Sequence, residues 1–292
     1  MLGQDSCEFV HVTGGMRIVT AIVLANAALD VLVPQSLGLP VGAEVVDVNL
    51  HVSIADLAET VSTLLAEHGD LVVLHEATDL VGAQALLAVR ALLHAPIVIV
   101  PVALPLLGVL VVAVTLSALL PAEPRPTLLA DLTPSVTSRL HVLARISSVA
   151  GLRQPAPRLT QHARSILPGS AFMVTLQPLS SVVAWPAAGQ LPKVPDGCVA
   201  VVRGDELDMV ASEIGRSWPS TPVVPLAAMD SARDWWGARK TTEVVVMPLE
   251  IDSLRLELSA PATLCRWCHQ PARARLCSGC SMLRLDELGR PA

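Results

Sequence analysis

The stretch GDLVVLHEATDLVGAQALLAVRALLHAPIVIVP, Gly69–Pro101, decides the fold. Two Val- and Ile-rich runs flank a middle rich in Leu and Ala that has no breaker after Gly82. Short β-branched runs read as strands, and the middle is long enough for a helix. The phrase recurs at Asp196–Leu226 and, more loosely, at Ser138–Pro178. Consecutive strand–helix–strand units favour a parallel sheet with helices on both faces. At the N-terminus EFVHV reads as a strand, TGG as a turn and MRIVTAIVLANAAL as a helix. DVLVP or AEVVDVNLHV supplies the next strand. DSARDWWGAR reads as a short helix and TEVVVMPLEI as a closing strand. The expected fold is α/β: repeated βαβ units forming a mainly parallel, Rossmann-like sheet, with a small zinc ribbon at the C-terminus.

Composition agrees. Of 292 residues 52% are apolar, yet there is no Tyr and there are only two Phe. The core is therefore Val, Leu, Ala and Ile, which suits strands buried on both faces. A net charge of −6 argues against general duplex binding, since phosphate neutralisation needs clustered cations. Only two of the twenty cations are Lys, a genome-composition bias rather than chemistry. Trp185–Gly197 has Pro, Gly and no apolar run. It sets the expected divisions at 1–190, 191–258 and 259–292. PAEPRPT (Pro121–Thr127) is a second joint.

MLGQDSCEFV has no basic and apolar leader pattern, so a cytoplasmic protein is expected. Residues 91–122 carry no Asp, Glu, Lys or Arg. On length they could span a bilayer. Pro96, Pro101 and Pro105 instead favour a buried strand, a broken loop and a buried helix, so no membrane span is expected.

The last thirty residues hold the chemistry. Cys265 and Cys268 form one C-x-x-C, and Cys277 and Cys280 a second. Two such pairs make a closed tetrahedral thiolate site, the arrangement of structural Zn2+. Disulfides and an iron–sulfur cluster are the alternatives, and His269 stands close enough in sequence to substitute as a ligand. Four thiolates leave no open position, which argues against a catalytic metal. Cys7 and Cys198 lie outside the cluster. The stretch resembles the short four-cysteine zinc ribbons at the ends of many bacterial proteins. Arg266, Trp267, Arg273 and Arg275 give it a basic face, fitted to a protein partner more than to nucleic acid. Its order is expected to come from its metal, independently of the main core.

Two weaker candidates sit at strand ends. In HVTGGMR, Thr13, Gly14 and Gly15 form a turn that frees backbone N–H groups for an anion, with Arg17 beside them. The motif is similar to the Thr-Gly-Gly-x-Lys turn of nucleotide-sensing Rossmann-like domains, including sensors of cyclic oligoadenylates. A plain βα turn with no ligand is the simpler account. In LHEATDL, His75, Glu76 and Asp79 fall where a strand hands over to a helix, the end at which open parallel sheets bind ligands. Helix capping by Thr78 or Asp79 is the simpler account. Asp205 in RGDEL reads as another cap. Walker, dinucleotide-fingerprint and nucleophile-elbow motifs are missing from the sequence.

Two functions follow. The first is a non-catalytic cytosolic adaptor or regulator whose ribbon docks a partner. The second is a nucleotide- or phosphate-ligand-binding α/β protein, sensor or enzyme, with its site at the Thr13–Arg17 turn and the His75–Asp79 strand end.

Overall fold

The computed structural model describes residues 21–25, 45–95, 97–119, 125–185, 191–226 and 230–283. The Thr13–Arg17 turn lies outside them. A four-stranded parallel sheet comes first, in the order β2(Val45–Val48), β1(Ala21–Ala25), β3(Leu71–Glu76), β4(Ile97–Val102). β3, α2(Leu80–Leu93) and β4 realise the Gly69–Pro101 phrase as a parallel crossover. α1(Ile54–His68) and α2 cover one face, packing Leu57, Val61, Leu86 and Val89 on Leu71, Val73 and Ile97.

One expectation fails here. AIVLA, inside the segment expected to be helical, is strand β1. It bonds to β2 on one side and β3 on the other. An all-apolar run has no periodicity to separate a buried strand from a buried helix, and neighbours on both edges decide it.

The other face is covered by α3(Leu106–Leu119) and α4(Pro126–Ser138). All fourteen residues of α3 are buried. A helix apolar all round must be enclosed on all sides. α3 meets this by lying between the first sheet and a second one, touching β1, β3 and β10. At about 21 Å it is shorter than a ~30 Å hydrocarbon core. Among the described residues no helix is long and apolar enough to cross a membrane.

The second sheet has six strands: β7(Ser181–Ala184), β6(Phe172–Gln177), β5(His141–Ile146), β10(Thr241–Pro248), β8(Cys198–Gly204), β9(Val223–Leu226). β8, α6(Leu207–Ser217) and β9 form the expected parallel unit. The looser third phrase returns antiparallel, as β5, α5(Leu159–Ser165) and β6. β10 does not close an edge but lies between β5 and β8, antiparallel to both. Strands from either side of residue 190 thus share one sheet. Val142, Val199, Val201, Val245 and Met247 face α3, so one core is common to both sheets. α7(Asp230–Trp236) packs against β10, and α8(Asp252–Leu258) packs against α4. The class is α/β, with parallel crossovers at its centre and a small cysteine-bearing hairpin unit, β11(Thr263–Leu264) and β12(Pro271–Ala272), at its end.

Candidate functional site

A cleft of about 830 Å³ opens where the carboxyl ends of β3 and β4 face the second sheet. Glu76, Thr78, Asp79 and Leu104 line one wall. Arg153, Gln154, Gln177 and Ser180 line the other, with Asp234 and Trp235 of α7. Leu104, Leu106, Leu176 and Trp235 supply its apolar surface. Sheet order explains the place. The chain leaves β1 toward β2 on one side and toward β3 on the other, and ligand crevices form at the carboxyl ends beside such a switch.

The strand-end triad is split by the strand's alternation. Glu76 follows Val72 and Leu74 on the α3 face, whereas His75 follows Leu71 and Val73 on the α1/α2 face. His75 is buried there, and its Nδ1 donates to the Glu76 carbonyl at 2.9 Å. Asp79 caps α2, accepting the Gly82 N–H at 2.9 Å, and also lies 3.5 Å from His51 Nε2. The structure therefore brings Glu76, Asp79 and His51 to the cleft and turns His75 away. Asp205 does not cap α6. It accepts the Thr241 N–H at 3.0 Å and an Arg233 N–H at 2.9 Å, tying the β8–α6 loop to β10 and α7.

The cleft is electrostatically unusual. Burial pushes the Glu76 carboxyl up to about 7, helped by the charges of Glu243, Asp79 and Asp234 and opposed by the Leu106 N–H. Glu243, in the middle of β10, is fully buried, and burial lifts it to about 7 as well. The Trp236 indole N–H donates to Glu243 Oε1 at 2.7 Å, and the buried Arg203 lends positive charge. Of the adjacent tryptophans, Trp236 is core and Trp235 faces the cleft. Gln177 Oε1 is buried without a protein hydrogen-bond partner. No local motif marks Arg153, Gln154, Gln177 or Ser180; the loop after β5 carries the first two to this wall, and the antiparallel return of β6 the other two.

The second candidate is the cysteine cluster. The Sγ atoms of Cys265, Cys268, Cys277 and Cys280 all lie within 4.8 Å of one another. Cys265–Cys280 and Cys268–Cys277 are 3.7 and 3.5 Å apart. Cys265 with Cys268, and Cys277 with Cys280, sit in the same kind of knuckle. The N–H of the first Cys donates to the carbonyl five residues on, 2.8 Å to Gln270 and 3.0 Å to Met282. The carbonyl of the first Cys accepts the N–H four residues on, from His269 and Ser281. These two residues alone of the knuckles have positive φ, 58° and 61°. Burial raises the Cys265 thiol, but the N–H groups of Cys268 and Trp267 outweigh it and bring it down to about 7. The geometry can hold a metal ion.

The unit is fastened to the body. Asp131 on α4 accepts the Arg273 N–H at 2.6 Å and the Ser278 hydroxyl at 3.1 Å. Thr127 Oγ1 donates to the Pro271 carbonyl at 2.5 Å, and Arg90 of α2 reaches the Gly279 carbonyl at 3.3 Å. The Arg273 guanidinium donates to the carbonyls of Leu258 and Ala260. Arg266, Trp267 and Arg275 are exposed.

The fold is that of the DegV proteins. A DegV family protein from Corynebacterium glutamicum is 11% identical, with 80% of this chain and 98% of that one covered at a TM-score of 0.56. DegV from Bacillus subtilis, described as a fatty acid binding protein, is 10% identical, covering 79% and 100% at 0.53. The Streptococcus pneumoniae Fatty Acid Kinase (Fak) B3 protein, solved loaded with linoleic acid, is 9% identical, covering 80% and 100% at 0.50. No protein-family model matches the chain, and no curated protein matches it. These likenesses overturn the expectation of a non-catalytic adaptor whose body only carries a docking ribbon.

Proposed function

We propose that this protein binds a long-chain carboxylic acid in the cleft between its two sheets. The observation that carries the reading is the cleft itself. Its volume of about 830 Å³ falls within the ~300–1,000 Å³ typical of ligand sites, and its walls set Leu104, Leu106, Leu176 and Trp235 among polar groups that include the cation Arg153. Its charge pattern bears on the ligand class. Glu76, Asp79 and Asp234 oppose a phosphate dianion. A single carboxylate is repelled less, and Glu76, with its pKa near 7, can donate a proton to one in a hydrogen bond. The fold likeness to fatty-acid-binding DegV proteins supports the same class. The test is direct titration of delipidated protein with oleate and with oleyl phosphate, with mass spectrometry of whatever co-purifies. Saturable oleate binding that oleyl phosphate does not match supports the reading. No saturable binding of either refutes it.

We also propose that the four cysteines hold one structural Zn2+. A tetrahedral site with Zn–S bonds of about 2.3 Å has sulfur–sulfur edges of about 3.8 Å, close to the two separations seen. Backbone N–H groups reach the sulfurs of Cys265, Cys268 and Cys280. Metal analysis of purified protein should give about one zinc per chain, and Cys277→Ser should abolish it. Iron with a visible absorption band would replace zinc in this reading.

A further inference from the structure

α2 has a second apolar face, on the side away from the sheet. Gly82, Leu86 and Val89 are its buried residues. Opposite them Leu80, Gln84, Leu87 and Ala91 follow at helical spacing as one stripe, all exposed. Val81 and Leu92 widen it, at 66% and 63% exposure. A helix apolar nearly all round needs enclosure on every side. α3 obtains it from two sheets, whereas α2 is covered on one side only. The flanks of the stripe differ in sign. α1 packs beside α2 and exposes Asp56, Glu59 and Glu67. No Lys or Arg occurs between Arg17 and Arg90, while Asp and Glu recur throughout that span. α1 joins β2 to β3, and α2 joins β3 to the edge strand β4, so the other flank of α2 is the sheet edge. The cysteine unit stands there, bonded to α2 through Arg90 and to α4 through Thr127 and Asp131. From Thr263 to Leu283 it has no Asp or Glu, and Arg266 and Arg275 are exposed.

We infer that the outer face of α2 is a homodimer interface, covered by the same face of a second copy of this chain. The order of charges carries the choice of occupant. A two-fold interface sets one patch against itself. With the axis running along α2, the two stripes meet, and the acidic α1 of each copy lies over the basic cysteine unit of the other. The surface is then its own complement in both apolarity and charge, and such complementarity fixes partner and register. Contact removes the exposed Leu and Val side chains of α2 from water, which is the main gain. An anionic lipid surface would instead meet the carboxylates of α1 and be repelled. The cleft walls Glu76, Leu104 and Leu106 belong to the α3 side of the first sheet, opposite α2, so the inference stands apart from the cleft reading.

The experiment is analytical ultracentrifugation of the full chain from about 1 to about 100 µM. Wild type should pass from monomer to a species of twice the chain mass within that range. Leu87→Glu, in the middle of the stripe, should raise the dissociation constant at least about tenfold while keeping the melt, because the side chain is exposed in the monomer. Leu92→Ser repeats the test with a milder change if Leu87→Glu lowers the melt. E59R/E67R and R266E/R275E should each weaken the dimer about tenfold, since each sets like charge against like. The quadruple variant carrying all four exchanges should return to within about threefold of wild type, because every flank then meets its opposite again. A wild type that stays monomeric at about 100 µM overturns the inference, whether or not the stripe then binds phosphatidylglycerol vesicles or another protein. A dimer indifferent to both stripe variants overturns it as well, by placing the contact elsewhere. A quadruple variant no tighter than its two parents overturns the two-fold pairing of α1 with the cysteine unit.

Discussion

Gly151 and Gly237 meet backbone to backbone, so that a Cβ on either would overlap the main chain of the other. Gly237 has a φ of +63° as well. The contact locks the loop after β5 to the end of α7, and the cleft residues Arg153, Gln154, Asp234 and Trp235 lie within three residues of it. Gly151→Ala should therefore cost about 1–3 kcal/mol through overpacking. That corresponds to a melting point lower by about 2–10 °C for a chain of this size. It should also weaken ligand binding beyond the change from Ser180→Ala on the same wall. A melt within 1 °C of wild type would show that the two segments are not in contact.

Asp131 should couple the cysteine unit to the body. Asp131→Ala removes the acceptor of the Arg273 and Ala274 N–H groups and of the Ser278 hydroxyl. Hydrogen bonds to a charged acceptor are worth about 1.5–3 kcal/mol, and stranded donors add to the loss. Chelation should lower the melting point of the whole molecule, and Asp131→Ala should shrink that shift. A body transition indifferent to chelator would mean that the unit folds by itself, as its sequence alone suggested.

Stability should fall as pH rises from about 5.5 to 8. Glu243 and Glu76 sit near 7 in the fold, against an ordinary 4.5. Between those values the native state holds protons that the unfolded chain has released. The stabilisation is complete below about 4.5 and is lost as pH rises through 7. For Glu243 it is on the order of 3 kcal/mol. Glu243→Gln keeps an acceptor for the Trp236 N–H and should flatten the dependence. Melting curves that rise across this window would contradict the burial of both carboxyls.

Arg153→Ala should weaken oleate binding about tenfold to a hundredfold, the range for one charge-assisted hydrogen bond. Glu76→Gln should leave affinity nearly unchanged at pH 6 but protect it at pH 8, where ionised Glu76 repels the ligand. Calorimetric titration at the two pH values checks both, and equal losses at both would remove Glu76 from the site.

The sequence showed some of this directly. β3–α2–β4 and β8–α6–β9 stood out because Val-rich runs flank a middle of different period, rich in Leu and Ala in the first, and α3 because its prolines precede a long uncharged run. The knuckles were legible from spacing alone. β1 was not, since AIVLA is apolar on both faces. Nor was the antiparallel return of β6, because alternation along a strand says which face is buried and nothing about the direction of its neighbour. Leu176, Gln177 and Ser180 reach the cleft through that return. Glu243, within TTEVVV, looks like a solvent-facing residue until β5 and β8 enclose β10.

The helix enclosed between the sheets has a consequence for traffic. α3 gives apolar side chains to both sheets, so parting them would wet both interfaces together. Each Leu or Val so exposed costs about 1.5–3 kcal/mol. Only a handful are needed to exceed the ~5–15 kcal/mol that holds a typical domain folded. The body therefore cannot open like a clam shell; it is a fixed socket. Any guest of the cleft would come and go at the rim. The rate of exchange would then belong to a few residues such as Arg153, Gln154 and Ser180, while the core would decide only what fits.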